Sequence, residues 1–278
     1  MGFLGQTAGM LNRFGIITVL TVSFVALFFY GCEEKAKWYK GNLHTHTFWS
    51  DGNDFPEMVV DWYKVQGYDF LALSDHNILL DQEKWVTIGD RKDRLSALEK
   101  YKAKYDPAWI ESKTVDGELM VRLKRLDEFK PLFDEPGKFL LVPSEEITDE
   151  VGDKEVHLNA TNIQSLIKPQ GGETVLQALQ NNVNAVLAQR EETGVPMIPH
   201  INHPNFGWSV TAEDIIAVEN ERFFEVYNGH PSVHNMGDER RPGTDRMWDI
   251  ILTQRLSQGG QIMYGVATDD AHSYHEMK

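Results

Sequence analysis

At 278 residues the chain is long enough for one large domain with a substantial core. A formal net charge of -15 argues against general affinity for nucleic-acid backbone or anionic lipid, because both need a basic surface to release counterions. The single cysteine, Cys32, excludes an internal disulfide, so the fold is held by its core or by metals.

The first element is an address. Arg13 precedes the apolar run Ile16 to Tyr30, IITVLTVSFVALFFY, which is short for a membrane span and suited to the centre of an export signal. The run ends at Gly31-Cys32, and a small residue before a lone cysteine there resembles the lipobox of bacterial lipoproteins. Phe29 and Tyr30 are bulkier than that pattern usually has. The resemblance implies a signal peptide over 1–31, a lipid on Cys32, a tether over 32–39 and export to the periplasm or cell surface. The alternative is a signal anchor that stays in the membrane.

Beyond the tether, apolar runs alternate with amphipathic stretches, the pattern of βα units. DFPEMVVDWYKVQG predicts a helix with Asp54 as N-cap, Pro56 in the first turn and Gly67 past the end. YDFLALSDHN is a buried strand ending in polar residues. The next strand, GKFLLVPSEEIT, begins only at Gly137, and the charged region 82–136 between them predicts a helical insertion or lid, with helices over RKDRLSALEKYKAKY and LDEFKPLF. ETVLQALQNNVNAVLAQREETG places Val175, Leu179, Val183, Val186 and Leu187 on one helical face and stops at Gly194. The strand VPMIPHINHP, a helix capped by Thr211, the strand RFFEVYNG, the helix TDRMWDIILTQRLSQGG and the strand QIMYGVATDDAH complete the pattern. The chain ends six residues after His272, where a complete barrel would be expected to continue into a closing helix.

Polar residues recur at the ends of these runs, as HTH, SDG, SDHN, SEEIT, VHLNA, NHP and TDDAH. In a parallel α/β barrel the strand ends converge on one face, so one cluster is expected. One histidine on an apolar strand is more often a core residue, but this ordered set favours a metal site.

The ordered set resembles the polymerase and histidinol phosphatase (PHP) family of metal-dependent phosphoesterases, from about Lys40 to His272. The resemblance implies a distorted (β/α)7 TIM-like barrel carrying two or three divalent transition-metal ions. Carried over by position, His44, His46 and Asp270 would hold a first metal. Glu146 would bridge to a second held with His157 and His203. Asp51, His76 and His272 would hold a third. Glu146, His76, Asp270 and His272 are the expected catalytic residues, and Asp75 orients a ligand rather than binding. Phe48 and Trp49 would form the apolar wall of the first loop.

The residue types agree with this chemistry, since imidazoles mixed with carboxylates suit Zn, Mn or Fe, whereas an all-oxygen set suits Mg or Ca. A carboxylate shared by two metals holds them roughly 3.5 to 4 Å apart, a distance at which a bridging hydroxide forms and attacks phosphorus in line. Glu145 and Asp269 each adjoin a candidate, and neighbours on a strand face opposite ways, so only one of each pair can reach the cluster. Glu225 and Asn228 are further candidates for that face. His200, His230, His234 and His275 are read as structural or rim residues, with His230 and His234 the ones able to touch substrate. Arg190, Arg222, Arg240 and Arg241 suit a phosphate clamp by chemistry alone. The expected partner is a small-molecule phosphate ester, with no nucleic acid and with membrane contact only through the N-terminus. Two other readings stand beside it: hydrolysis of a carbamate, amide or ester bond, and a non-catalytic lipoprotein that keeps metal for stability.

Overall fold

In the computed structural model, residues 36–275 are described. The export signal and Cys32 lie outside them. From Tyr39 onward the chain forms one compact unit.

Seven strands make the central sheet: β1 (Gly41–Asn42), β2 (Phe70–Leu73), β6 (Leu140–Val151), β7 (Lys154–Thr161), β8 (Ile198–Ile201), β9 (Phe223–Asn228) and β10 (Tyr264–Thr268), in that order. The sheet curls until its edges meet, where Thr45 and Ala271 form a parallel bridge and His46 N–H donates to Ala271 O at 3.0 Å. The result is a distorted seven-stranded α/β barrel, as expected.

One strand breaks the parallel rule. β7 runs antiparallel to both β6 and β8, because β6 turns straight back through a hairpin at Gly152 instead of crossing over by a helix. The expectation that every motif ends a strand is therefore corrected: Glu146 lies in the middle of β6, and His157 lies opposite its neighbour Thr148 within β7.

Six helices accompany the described strands: α1 (Pro56–Val65), α2 (Lys92–Lys104), α3 (Leu126–Phe133), α4 (Val175–Thr193), α5 (Ala212–Ala217) and α6 (Thr244–Ser257). α4 begins at Thr174, whose hydroxyl accepts from Gln177 N–H at 3.2 Å, and ends at Gly194, whose φ of 68° only glycine adopts freely. It buries Leu179, Val183 and Val186, each worth about 1.5–3 kcal/mol of transfer free energy. α1 departs from expectation. Phe55 is its N-cap, and the Asp54 carboxylate accepts from Phe55 N–H at 2.8 Å instead of capping the turn.

The insertion is helical only in part. Between α1 and β6 it also carries a three-stranded antiparallel sheet, β3 (Lys84–Thr87), β5 (Glu118–Leu123) and β4 (Ser112–Val115). Its apolar residues Val86, Ile88, Leu98, Val121, Leu123 and Phe129 share one core with Phe48, Trp49 and Phe55. Phe48 and Trp49 thus anchor the insertion to the barrel and form no wall of the site, and Trp49 Nε1 donates to Lys124 O at 3.2 Å. Among the described residues no helix is long and apolar enough to cross a membrane.

Candidate metal centre

The chain leaves β1 extended, so His44 and His46 point to one side and Thr45 to the other. Their Nε2 atoms stand 3.1 Å apart, and Asp270 Oδ1 lies 3.2 Å from each. Asp270 reaches this point from a left-handed backbone, φ 46°, a strained conformation typical of functional positions.

Glu146 sits at the centre, fully buried. Its Oε2 is 3.3 Å from His44 Nε2, 3.3 Å from His46 Nε2 and 3.0 Å from His76 Nδ1. Its Oε1 is 3.0 Å from His157 Nδ1 and 3.2 Å from His203 Nε2. The two oxygens of one carboxylate therefore face different groups of imidazoles. Donors on one ion at bond lengths near 2.1 Å stand about 3.0 to 3.4 Å from one another, which is the spacing found here.

A third group gathers at the rim. Asp51 lies 3.3 Å from His272 Nε2 and 3.5 Å from both His76 Nε2 and His46 Nδ1. His46 and His76 thus each present one ring nitrogen to Glu146 and the other to Asp51. All nine residues expected from the sequence come together, and the rim group gains His46.

The polypeptide around them explains the spacing of the motifs. In SDHN, Ser74 Oγ accepts from Thr45 N–H at 3.0 Å, and Asn77 exchanges two 2.9 Å hydrogen bonds with the Thr148 backbone. Asp75 accepts from Thr47 N–H at 2.8 Å, Thr47 Oγ1 at 2.9 Å and Ser50 Oγ at 2.7 Å, so it orients the first loop. In SDG, a Cβ on Gly52 would fall 2.5 Å from the His46 carbonyl, so only glycine lets the loop close on the site.

Both register questions resolve toward the expected residue. Glu145 points outward to accept from Ile167 N–H at 2.6 Å, and Asp269 accepts from Tyr63 Oη at 2.9 Å.

Behind the donors lies a layer the sequence indicated only in part. Glu225, fully buried, faces His44 Nδ1 at 2.7 Å and accepts from His203 N–H at 2.7 Å, Thr268 Oγ1 at 2.7 Å and Asn228 Nδ2 at 2.8 Å. This pairing puts the His44 proton on Nδ1 and leaves Nε2 free to face the centre. His200 is buried beside Glu225, with Nε2 3.5 Å from its Oε1. Asn202, the residue before His203, donates to Glu146 Oε1 at 2.7 Å. Sequence reasoning missed it, although its place in INHP was visible.

Burial alone would raise the Glu146 carboxyl, yet the imidazoles of His44, His157 and His203 hold it well below the usual carboxylate range. Burial would likewise lower His44, but Asp270, Glu146 and Glu225 raise it well above an ordinary imidazole. Burial opposes charge on His76 too, and its hydrogen bonds to Asp51 and Glu146 lift it to about 10. For such nitrogens a proton and a cation are alternatives. The donor set fits metal ions: three carboxylates and six imidazoles converge, and the buried Glu146 Oε2 and Asp270 Oδ1 have nitrogens close by but no well-directed hydrogen bond.

The centre opens into a cavity of about 650 Å³ walled by Thr148, Asp149, Glu150, Glu155, Pro169, Phe206 and His230 besides the donors. None of the residues lining this cavity belongs to 82–136. None of the four arginines considered as a phosphate clamp lines it either, and Arg241 instead pairs with Asp238 and lies over Trp208. His230 stands edge-on to His272 at 5.0 Å, whereas His234 stacks on Trp208 at 4.7 Å and His275 binds Asn53 O at 2.8 Å.

No family model matches the chain, and no curated protein does. Among solved structures, it is similar to a two-domain protein from Bacteroides vulgatus containing a predicted PHP-like metal-dependent phosphoesterase, at 17% identity and a TM-score of 0.44. That match covers 84% of this chain and 52% of the other, so the chain spans about half of that protein's length. An amidohydrolase from Chromobacterium violaceum, with bound sulfate and no metal, is similar at 13% identity and a TM-score of 0.44, over 85% of this chain and 89% of the other.

Proposed function

We propose that the chain is a metal-dependent hydrolase of the PHP type and that its substrate is a phosphate ester. The observation carrying this reading is Glu146, one buried carboxylate whose two oxygens serve two different sets of imidazoles. A closed structural site for one metal would need no such sharing.

His44, His46 and Asp270 would hold one ion, His157 and His203 a second, with Glu146 between them, and Asp51, His76 and His272 a third. Bound there, divalent ions supply an activated water and positive charge for the phosphoryl oxygens. The chain's own part is placement. Glu225 fixes the His44 tautomer, Asn202 and Asn159 hold Glu146 in its buried orientation, and Phe206 and Pro169 dry one wall of the cavity. Hydrolysis joins the water oxygen to phosphorus, breaks the ester P–O bond and releases the alcohol with the remaining proton.

The test is metal analysis of the purified chain followed by a metal-loaded screen over phosphomonoesters, phosphodiesters and carbamates. At least two transition-metal ions per chain and turnover of a phosphate ester are expected. One ion or none would remove the multinuclear site, and turnover of carbamates alone would replace phosphorus by carbon as the centre attacked. We also propose export and anchoring through a lipid on Cys32, which labelling with a fatty-acid analogue and a Cys32→Ser control would test.

A further inference from the structure

One histidine of the cavity wall stands beside the metal donors without belonging to them. His230 is half-buried, lines the cavity and meets the His272 ring edge-on at 5.0 Å. It follows β9 in the run Asn228-Gly229-His230, and the two residues before it fix its place. Asn228 Nδ2 donates to Asp270 Oδ2 at 3.0 Å and to Glu225 Oε2 at 2.8 Å, while its Oδ1 accepts from His230 N–H at 2.8 Å. A Cβ on Gly229 would fall 2.6 Å from Asp269 O, so only glycine lets the loop pass this close to the end of β10. The backbone of His230 is thereby tied to the carboxylates that build and brace the centre.

The ring is oriented as well. Ser232 N–H donates to His230 Nδ1 at 3.3 Å. A ring nitrogen that accepts carries no proton, so the neutral imidazole bears its proton on Nε2. An imidazolium carries one there too, so Nε2 is a donor in either state. The Nδ1 edge faces its own loop, which leaves the Nε2 edge for the cavity, and no described residue accepts from it.

Donors are scarce in this space. The cavity wall holds no lysine or arginine, and outside the metal donors its three acidic residues, Asp149, Glu150 and Glu155, offer acceptors. Thr148 is the other side chain there with a proton to give, and its Oγ1 is already engaged with His76 Nδ1 at 2.5 Å. A phosphoryl group in transfer spreads its charge over three equatorial oxygens, and an oxygen turned away from the cations needs a fixed donor.

We propose that His230 is a substrate-binding residue whose Nε2–H donates to a non-bridging oxygen of the phosphoryl group. The substrate half of this statement rests on the hydrolase reading above, whereas the donor half rests on the loop that follows β9. Because the contact is to an oxygen that stays on phosphorus, its contribution is the same whatever alcohol leaves.

His230→Phe keeps a ring and removes the donor, and His230→Gln restores an N–H near the Nε2 position. In calorimetric titration of the zinc-loaded full chain, inorganic phosphate should bind about tenfold more weakly to His230→Phe, the scale of one hydrogen bond to a charged group. His230→Gln should bind it nearly as tightly as the parent. In His230→Phe, kcat/KM should fall about 100-fold, and by the same factor for 4-nitrophenyl phosphate and for an alkyl ester such as glycerol phosphate. Zinc content and circular dichroism should match the parent in both variants. Imidazole nitrogen shifts measured by NMR, with the His230 signals identified by their loss in the variants, should place the proton on Nε2. Equal phosphate affinity in folded, zinc-replete His230→Phe, a loss confined to the alkyl ester, a loss of zinc, or a proton on Nδ1 overturns the proposal. His230→Ala takes the place of His230→Phe if the latter does not fold, with the same outcomes. Absence of 4-nitrophenyl phosphate turnover by the parent would remove the phosphoesterase reading, while the phosphate titration would still decide His230.

Discussion

Glu146 at the mouth of the barrel and Glu221 at the opposite end, just before β9, are both buried carboxylates, and their surroundings push them in opposite directions. Glu146 is ringed by imidazoles that override burial and keep it ionised. Glu221 accepts only from its neighbours' backbone, Arg222 N–H at 2.8 Å and Phe223 N–H at 2.6 Å, and burial pushes it up to about 8. Burial is common to the two ends, so it cannot mark a site. What distinguishes the mouth is the convergence of other titratable groups on one carboxylate.

The largest effect is expected at Glu146. Glu146→Ala should lower hydrolysis on the order of 10³-fold, in line with the loss of a group that assembles two ions, and the purified variant should retain less metal. Glu145→Gln, one residue away and facing outward, should leave metal content as it was. Metal analysis of the two variants decides whether the centre is built on Glu146, and equal losses would put the strand out of register.

A smaller effect is expected one layer back. Glu225→Gln keeps the shape but weakens the acceptor opposite His44 Nδ1, so metal affinity measured against a competing chelator should fall about 10–100-fold with the fold intact. An unchanged affinity would show that the His44 tautomer is fixed without Glu225. Gly52→Ala acts through packing alone. Its methyl would lie 2.5 Å from the His46 backbone, and the strain should cost about 1–3 kcal/mol in a denaturant titration. A neutral result would mean the first loop yields more easily than its contacts suggest.

Most of the candidate residues were legible in the sequence because they are polar residues at or just past the ends of apolar runs, which a barrel brings to one place, whereas Glu146 and His157 sit within β6 and β7 and reach the cluster through the hairpin. The boundaries of α2 and α4 were legible for a similar reason, since their apolar spacing and, for α4, Thr174 and Gly194 agree locally. The rest depended on tertiary partners. The sheet β3–β5–β4 was hidden because SKTV is wholly exposed and shows no alternation of apolar residues, so its strands exist by pairing with β5 rather than by pattern. Asp54 looks like a cap and is not one, because its carboxylate is drawn to Phe55 N–H. The direction of β7 was not legible, because the hairpin at Gly152 and a crossover can begin with the same residues.

A pH-dependent effect of modest size is expected at Glu221. Because the folded state raises Glu221 from its ordinary value of 4.5 to about 8, it favours the protonated carboxyl. That contribution to stability is complete below about pH 4.5 and is lost as pH rises through about 8, since the unfolded chain ionises first. Between those limits the loss amounts to about 1 kcal/mol for each pH unit. Glu221→Gln keeps an acceptor for the two backbone N–H groups and has no proton to lose. Its stability relative to the parent should therefore grow by about that amount per unit between roughly pH 5 and 8, read as the difference in denaturant midpoint at each pH. Parallel curves for parent and variant across this range would mean that Glu221 is ionised in the fold, and the two ends of the barrel would then handle buried charge alike.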